Sequence, residues 1–279
     1  MKVSANKKYK IIQETLQRED NLLNAVQLCN LAGVSRSGYY HYIATAEKRA
    51  EREEKDYRDF LLVSEAYRHR GYQKDVREIY MHLLHRKPPV VMNIKKIRRL
   101  MKKYDLSCRP LRRAWQYPSG IAAAAGEQKP RENFSTEISC IRSGRASICY
   151  MAAVLDTCTR ELLSWAVLDT KGAELVQKTI HFLRERCGEE IQEKVIDRIE
   201  KSLLESAGRG PFFDLMMEEL NLPSNFTYET FFDRAADWAD YYNTERYQWE
   251  LNKLSPAEYG KYLATGVYPL IMPKPNGGE

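Results

Sequence analysis

The sequence predicts a mixed α and β chain built of several units, and three observations predict it. Apolar residues recur at helical spacing through the first 107 residues. Three strand-sized apolar segments then follow one another between residues 134 and 168, and helical spacing returns afterwards. Where the first regime gives way to the second, the charge changes sign. Residues 1–115 carry 26 lysines and arginines against 13 acids, a net +13; the remainder carries 18 against 25, a net −7, which leaves +6 overall. A front part so lopsided suggests polyanion binding there and a different task for the rest.

Composition bounds the classes further. A chain of 279 residues allows one large domain or two to three small ones. A hydrophobic content of 43% with 29% charged residues is that of a soluble globular protein. No apolar run approaches the about 20 residues that span a bilayer. The start, "MKVSANKKYK", is basic without a following apolar stretch, so no secretory signal is read. The six cysteines are scattered, with no Cys-x-x-Cys pair, which predicts a reduced cytoplasmic protein without a structural zinc site.

The elements follow in order. Residues 1–45 form a helical unit around "AVQLCNLAGVSRSGYYHYI" (25–43), where a helix breaks at Gly33 and restarts at once with polar and aromatic residues. Two readings fit this stretch: a helix-turn-helix, or an ordinary helical hairpin with its tyrosines packed inside. In the first, Ser35, Arg36, Ser37 and Tyr39 open the recognition helix and face base edges. Residues 46–69 mix both signs at helical spacing, as a solvated connecting helix does.

A second helical unit spans 70–107. Its first helix buries Val76, Ile79, Tyr80 and Leu83, Pro88-Pro89 stop it, and Asn93 caps the next. That next helix keeps Ile94, Ile97, Leu100 and Met101 on one face, with Lys95, Lys96, Arg98, Arg99, Lys102 and Lys103 around the rest, a cation density suited to phosphate contacts. His82-x-x-His85 could share a helical face, but without a third ligand nearby it reads as a surface pair. Residues 108–133 have linker composition.

From 134, "FSTEISCI", "SICYMAAVLD" and "RELLSWAVLD" are strands joined by short turns, hence an antiparallel meander. Helices follow at 173–187, 190–205, 212–221, 228–243 and 255–264, the last announced by Ser255 and Pro256. Asp156 and Arg160 flank the turn between the second and third strands and read as structural. Trp165, Trp238 and Trp249 read as core, while Arg246, Tyr247 and Gln248 are weaker DNA-contact candidates. The tail 266–279 is expected to be disordered.

These pieces, in this order, resemble bacterial insertion-sequence transposases of the retroviral-integrase-like type, specifically the frame carrying the catalytic core. "LAGVSRSGYYHYI" resembles the family's helix-turn-helix, and "HRGYQKDVREIYMHLL…NIKKIRRLMKKYDLSC" its second DNA-binding unit. "TEISCI…YMAAVLDTCTRELLSWAVLDT" is similar to the first three strands of the core. "FTYETFFDRAADWADYYNTERYQWELNKLSPAEY" resembles its C-terminal helices. The resemblance implies helix-turn-helix units followed by a ribonuclease H-like integrase core over 134–265 and C-terminal helices. It also implies Mg²⁺ or Mn²⁺ if the chain is active, double-stranded DNA of the element's terminal inverted repeats as partner, a homo-oligomer, a partner protein from an upstream frame, no membrane, and a bacterial, nucleoid-associated cytoplasmic location.

Two metal ions need carboxylates held within a few ångström of each other. The family's first Asp corresponds to Glu137, the metal candidate, one methylene too long. No stretch matches the loop of its second Asp: Asp169 ends the third strand and Asp197 lies mid-helix. Gly210 stands where the third acid falls, with Glu205, Glu218 and Glu219 nearby as substitutes. Only 55 residues separate Asp156 from Phe212, so the core is read as shortened between about residues 170 and 211, leaving a truncated sheet with an edge that "RELLSWAVLD" or a neighbouring strand leaves uncovered or covers with the 190–205 helix. Three functions are therefore carried forward: a transposase with impaired catalysis, a non-catalytic DNA-binding remnant or regulator, and a helical interaction protein.

Overall fold

The computed structural model describes residues 3–72, 74–107, 129–143, 147–206 and 210–270. Most of the expected linker and residues 271–279 of the expected disordered tail lie outside them. The chain divides into two compact units, 1–61 and 62–279. It is a mixed α and β protein with one three-stranded antiparallel sheet among the described residues, and no described helix is long and apolar enough to cross a membrane.

In the first unit α1 (Ala5–Leu16), α2 (Ala25–Ala32) and α3 (Arg36–Ala44) precede α4 (Ala46–Arg68), within which the unit boundary falls. Asn24 opens α2 with a capping box, its side chain accepting from Gln27 N–H while the Gln27 side chain accepts from Asn24 N–H. Gly33 closes α2 at φ 62°, the left-handed conformation that costs glycine little. Ser35 restarts the chain as N-cap of α3, accepting from Gly38 N–H at 3.1 Å. Ile12, Cys29 and Tyr39 are buried at the centre, with Tyr9, Leu28, Val34 and Ile43 around them. The break at Gly33 and the immediate restart at Ser35 are both present, and Tyr39 packs inside.

The second unit holds α5 (Val76–Leu84) and α6 (Ile94–Lys103). The strands β1 (Phe134–Ser143), β2 (Ser147–Asp156) and β3 (Leu162–Leu168) follow, and then α7 (Ala173–Cys187), α8 (Glu193–Glu205), α9 (Pro211–Leu220), α10 (Tyr228–Thr244) and α11 (Pro256–Thr265). The strands run in the order β1-β2-β3, with Glu137 opposite Ala153 and Ala153 opposite Trp165. Ile138, Ala152, Val154, Leu163 and Ala166 pack with Leu175, Leu183, Ile199 and Leu203 of α7 and α8. Ile141, Met151, Ala153, Leu155 and Val167 belong instead to the cluster of Phe212, Phe213, Phe231, Trp238 and Tyr242 from α9 and α10. Helices on both faces explain why β2 is apolar almost throughout.

At the outer edge of β1 one strand amide is met by the residue that follows α8. There Ser206 Oγ accepts from Ile138 N–H at 3.2 Å, and the Ser202 and Thr136 hydroxyls meet at 2.6 Å. The Ser206 hydroxyl thereby takes one position that a neighbouring strand would otherwise take.

The segment 70–107, read as a second helical unit, shares a compact unit with the strands. The reason is charge as much as burial. Tyr72 is 2% exposed and lies 4.6 Å from the Tyr241 ring. Arg70 donates to Asp237 at 2.9 Å and Asp240 at 3.0 Å on α10, and reaches Glu245 at its end. Arg246 lies between Glu78 of α5 (3.3 Å) and Glu219 of α9 (2.8 Å), all three nearly inaccessible to water. Burial, together with the neighbouring Glu219, raises the Glu78 carboxyl above the usual range.

His82 and His85 correct their reading as a surface pair. The His85 side chain is 8% exposed, stacks on Tyr247 at 3.5 Å and faces Glu258 at 3.2 Å. His82 Nε2 is buried without a hydrogen-bond partner, and burial depresses this imidazole to about 2. The helix turns one apolar face inward here, and both rings ride with it.

Two outcomes follow for stability. Arg246→Met leaves two carboxylates buried without their counter-charge and should cost about 3–5 kcal/mol by chemical denaturation near neutrality. That deficit shrinks as pH falls, because the carboxyls then protonate. His82 works with the opposite sign: its folded pKa lies below the unfolded value of about 6.5, so stability is intact above that pH and lost below it, at up to about 1.4 kcal/mol per pH unit. His82→Gln should flatten that part of the stability profile, and an unchanged slope would contradict a neutral buried ring.

Candidate nucleic-acid interface and the acidic positions of the core

On α6, periodicity divides the residues cleanly. Ile97, Leu100 and Met101 are buried against Val63, Ile79, Leu83 and Met92. Lys95, Arg98, Arg99, Lys102 and Lys103 are exposed and Lys96 is half-buried. Asn93 caps the helix, accepting from Lys95 N–H at 2.8 Å. Five exposed cations on one ten-residue helix form a surface of concentrated positive potential.

On α3 the expected residues separate. Arg36 and Ser37 are exposed in its first turn, and Ser35 is exposed but already engaged as the cap. Tyr39 is a correction: at 5% exposure it is core, and burial raises its hydroxyl pKa. Its neighbour Tyr40, 55% exposed, is the outward ring. The signal was available, because Tyr39 and Ile43 sit one helical turn apart on the inner face while Tyr40 falls off it.

The weaker contact candidates are spent on structure. Arg246 and Gln248 are buried and Tyr247 is half-buried against His85. Gln248 Oε1 accepts from Arg160 at 2.9 Å, and Arg160 also approaches Glu250 at 3.5 Å. Asp156 holds its turn by accepting from Cys158 N–H (3.0 Å), the Thr159 hydroxyl (2.9 Å) and Arg131 N–H (3.1 Å). Burial raises its pKa against those bonds. Trp165 is half-buried and Trp238 fully buried. Trp249, read as core, is instead 39% exposed, with the Arg77 guanidinium 5.5 Å and the Lys253 ammonium 5.2 Å from its ring.

The acids divide in the same way. Glu137, on β1, is 9% exposed and lies at the N-terminus of α9, where it accepts from Phe212 and Phe213 N–H at 3.3 Å each. Burial raises its pKa, those two bonds lower it, and nearby Asp214 raises it. The carboxylate faces unpaired amides at the positive end of a helix, which makes it a helix cap built from a strand. Gly210 is the residue that admits it: a Cβ there would clash with the Glu137 carboxyl group. The positions matched to the family's first and third acids therefore do meet in space, but as one carboxylate over a glycine.

The substitutes do not join them. Glu205 is exposed beside Lys201 (3.9 Å), and Glu218 is half-buried on α9. Glu219 is 2% exposed and fully engaged, accepting from Trp238 Nε1 at 2.9 Å and from Arg246. Among the described residues no group of three or more His, Cys, Asp or Glu side chains is placed to hold a metal ion. The side chains around Glu137 thus do not fit a pair of divalent cations, whose carboxylate ligands must converge with oxygens to spare. No family model, curated protein or solved structure matches this chain.

The close approach can be measured. Gly210→Ala forces the Glu137 carboxylate off the helix amides and should cost about 1–2 kcal/mol. In a Glu137→Ala background the same substitution should cost much less, and additive losses in the double-mutant cycle would show that the two positions do not touch.

Proposed function

We propose that this chain is a double-stranded DNA-binding protein of transposase descent, a non-catalytic remnant that occupies the terminal inverted repeats of an insertion element. The exposed cation face of α6 carries the reading. Its apolar stripe is used within its own unit, so Lys95, Arg98 and Lys102 point outward, and counterion release from phosphates is the chemistry such a face performs. The first unit adds a helix-turn-helix whose second helix offers Arg36 and Ser37, a geometry suited to base edges in a major groove.

The descent rests on the sequence resemblance, and two features support it. The three-stranded meander with helices on both faces is what the opening of a ribonuclease H-like core looks like. The first and third acid positions of the family fall together at Glu137 and Gly210. The same pair argues against retained strand transfer, because a capping carboxylate over a glycine offers no bridging acid set. Bacterial cytoplasm and its nucleoid, a second copy of the chain and a partner from an upstream frame belong to this reading as the setting such a protein works in.

Fluorescence anisotropy with end-containing duplexes tests it. The log–log dependence of affinity on salt should be steep and negative. Lys95→Ala, Arg98→Ala and Lys102→Ala should each reduce its slope by about 1 and weaken all sequences alike, whereas Arg36→Ala should relax discrimination at one base pair by about 1–3 kcal/mol. A flat slope or no binding would favour the helical interaction protein. Nicking in Mg²⁺ or Mn²⁺ that disappears in Glu137→Gln would restore the active transposase.

A further inference from the structure

Trp249 opens a short 3₁₀ turn, Trp249–Leu251, and its indole is turned outward where that of Trp238 is buried. The loop around it is closed on itself: Gln248 N–H donates to Leu254 C=O at 2.9 Å, and Lys253 N–H donates to Gln248 C=O at 3.0 Å. Gln248, Leu251 and Leu254 are buried and anchor the loop, which leaves the indole outside. Asn252 and Lys253 take φ 54° and 67°, left-handed positions that strain a lysine and would not strain a glycine. The Tyr268 hydroxyl braces the turn by donating to Asn252 C=O at 2.7 Å. Strain of this kind persists only where the surrounding contacts over-determine it.

Two cations flank the ring without covering it. The Arg77 guanidinium of α5 stands 5.5 Å and the Lys253 ammonium 5.2 Å from its centroid, whereas Arg49, stacked on Tyr42, stands at 3.6 Å. Arg70 and Arg246 in this unit are matched by acids. Arg77 and Lys253 make no ion pair among the described residues, and Glu250, next to the indole in sequence, approaches Arg160 instead. An open aromatic face with unmatched positive charge on two sides suits a nucleobase and its phosphates, the ring taking the base and the cations the backbone. A base inside a duplex already stacks on its neighbours, so the nucleotide that fits is an unpaired one. An acidic peptide would answer the charges and offer the indole no flat face. The site is tied to the cation face of α6 by packing, since Ile79 and Leu83 of α5 are buried with Ile97 and Leu100.

We propose that Trp249, flanked by Arg77 and Lys253, is a stacking site for an unpaired nucleotide of the DNA that α6 holds. The inference rests on the DNA-binding reading and adds to it a preference for duplexes with a single-stranded extension.

Fluorescence anisotropy on the full chain tests it with a blunt duplex of about 20 base pairs, the same duplex extended by about four thymidines, and one extended equally by abasic sites. The abasic extension carries the phosphates without the bases. The unmodified chain should bind the thymidine extension about tenfold more tightly than the abasic one. Trp249→Ala should erase that ratio and Trp249→Phe should keep most of it, with circular dichroism confirming that each variant is folded. Lys253→Gly removes the charge while relieving the backbone, and should weaken both extended probes alike and reduce their salt slope by about 1. Lys95→Ala should weaken all three probes and leave the ratio as it was. Equal affinity for the two extensions, or a ratio that survives Trp249→Ala, would overturn the inference while binding of the blunt duplex keeps the DNA-binding reading. Binding of none of the three would remove that reading and this site with it.

Discussion

The guanidinium of Arg246 is the constraint around which the second unit is organised. It lies at 8% exposure between Glu78, on a helix near residue 80, and Glu219, on a helix that follows the sheet, while Glu219 also accepts from the Trp238 indole. Glu78 is thereby held in one desolvated network with three residues more than 140 positions further along the chain. Taking such charges out of water is expensive, and a hydrophobic core could supply the same cohesion. What the network adds is geometry: the groups satisfy one another only in one arrangement, so α5 must dock on α9 and α10 in that pose. Arg70 repeats the device nearer the surface with Asp237, Asp240 and Glu245.

That docking decides which parts of the unit remain available to a ligand. Because α5 and α6 share a core with the end of α4 and that core is itself tied to α10, α6 can spend only one face on packing. Its cations are turned outward by the same 3.6-residue period that buries Ile97 and Leu100. Arg246, one of the weaker DNA-contact candidates in the sequence, is withdrawn from that role for the reason just given: its charge is already matched on two sides.

A similar exchange explains the acidic positions. A carboxylate can hold a metal or cap a helix, and Glu137 does the second, with two amide bonds and a glycine beneath it. On the proposed descent, the glycine at 210 and the longer acid at 137 are complementary, since each makes room for or use of the other. The edge of β1 shows the same economy, with Ser206 after α8 accepting from Ile138 N–H and Ser202 of α8 meeting the Thr136 hydroxyl.

Much of the fold was legible locally. The three strands, their antiparallel order, the caps at Asn93 and Ser255 and the helix following Gly33 all come from short-range rules: alternation, side chains that satisfy nearby amides, and a residue tolerant of positive φ. The cation face of α6 was legible for the same reason, as a periodic pattern on a single helix. What the sequence could not determine is which polar residues are claimed by distant partners. Glu219, His85 and Arg246 are of types usually found at surfaces or sites, and each is held against groups 19 to 173 residues away in sequence. Only the tertiary structure decided their fate, because the energy of a buried charge depends on what stands within a few ångström of it, and that distance is set by the packing of the whole unit rather than by neighbours along the chain.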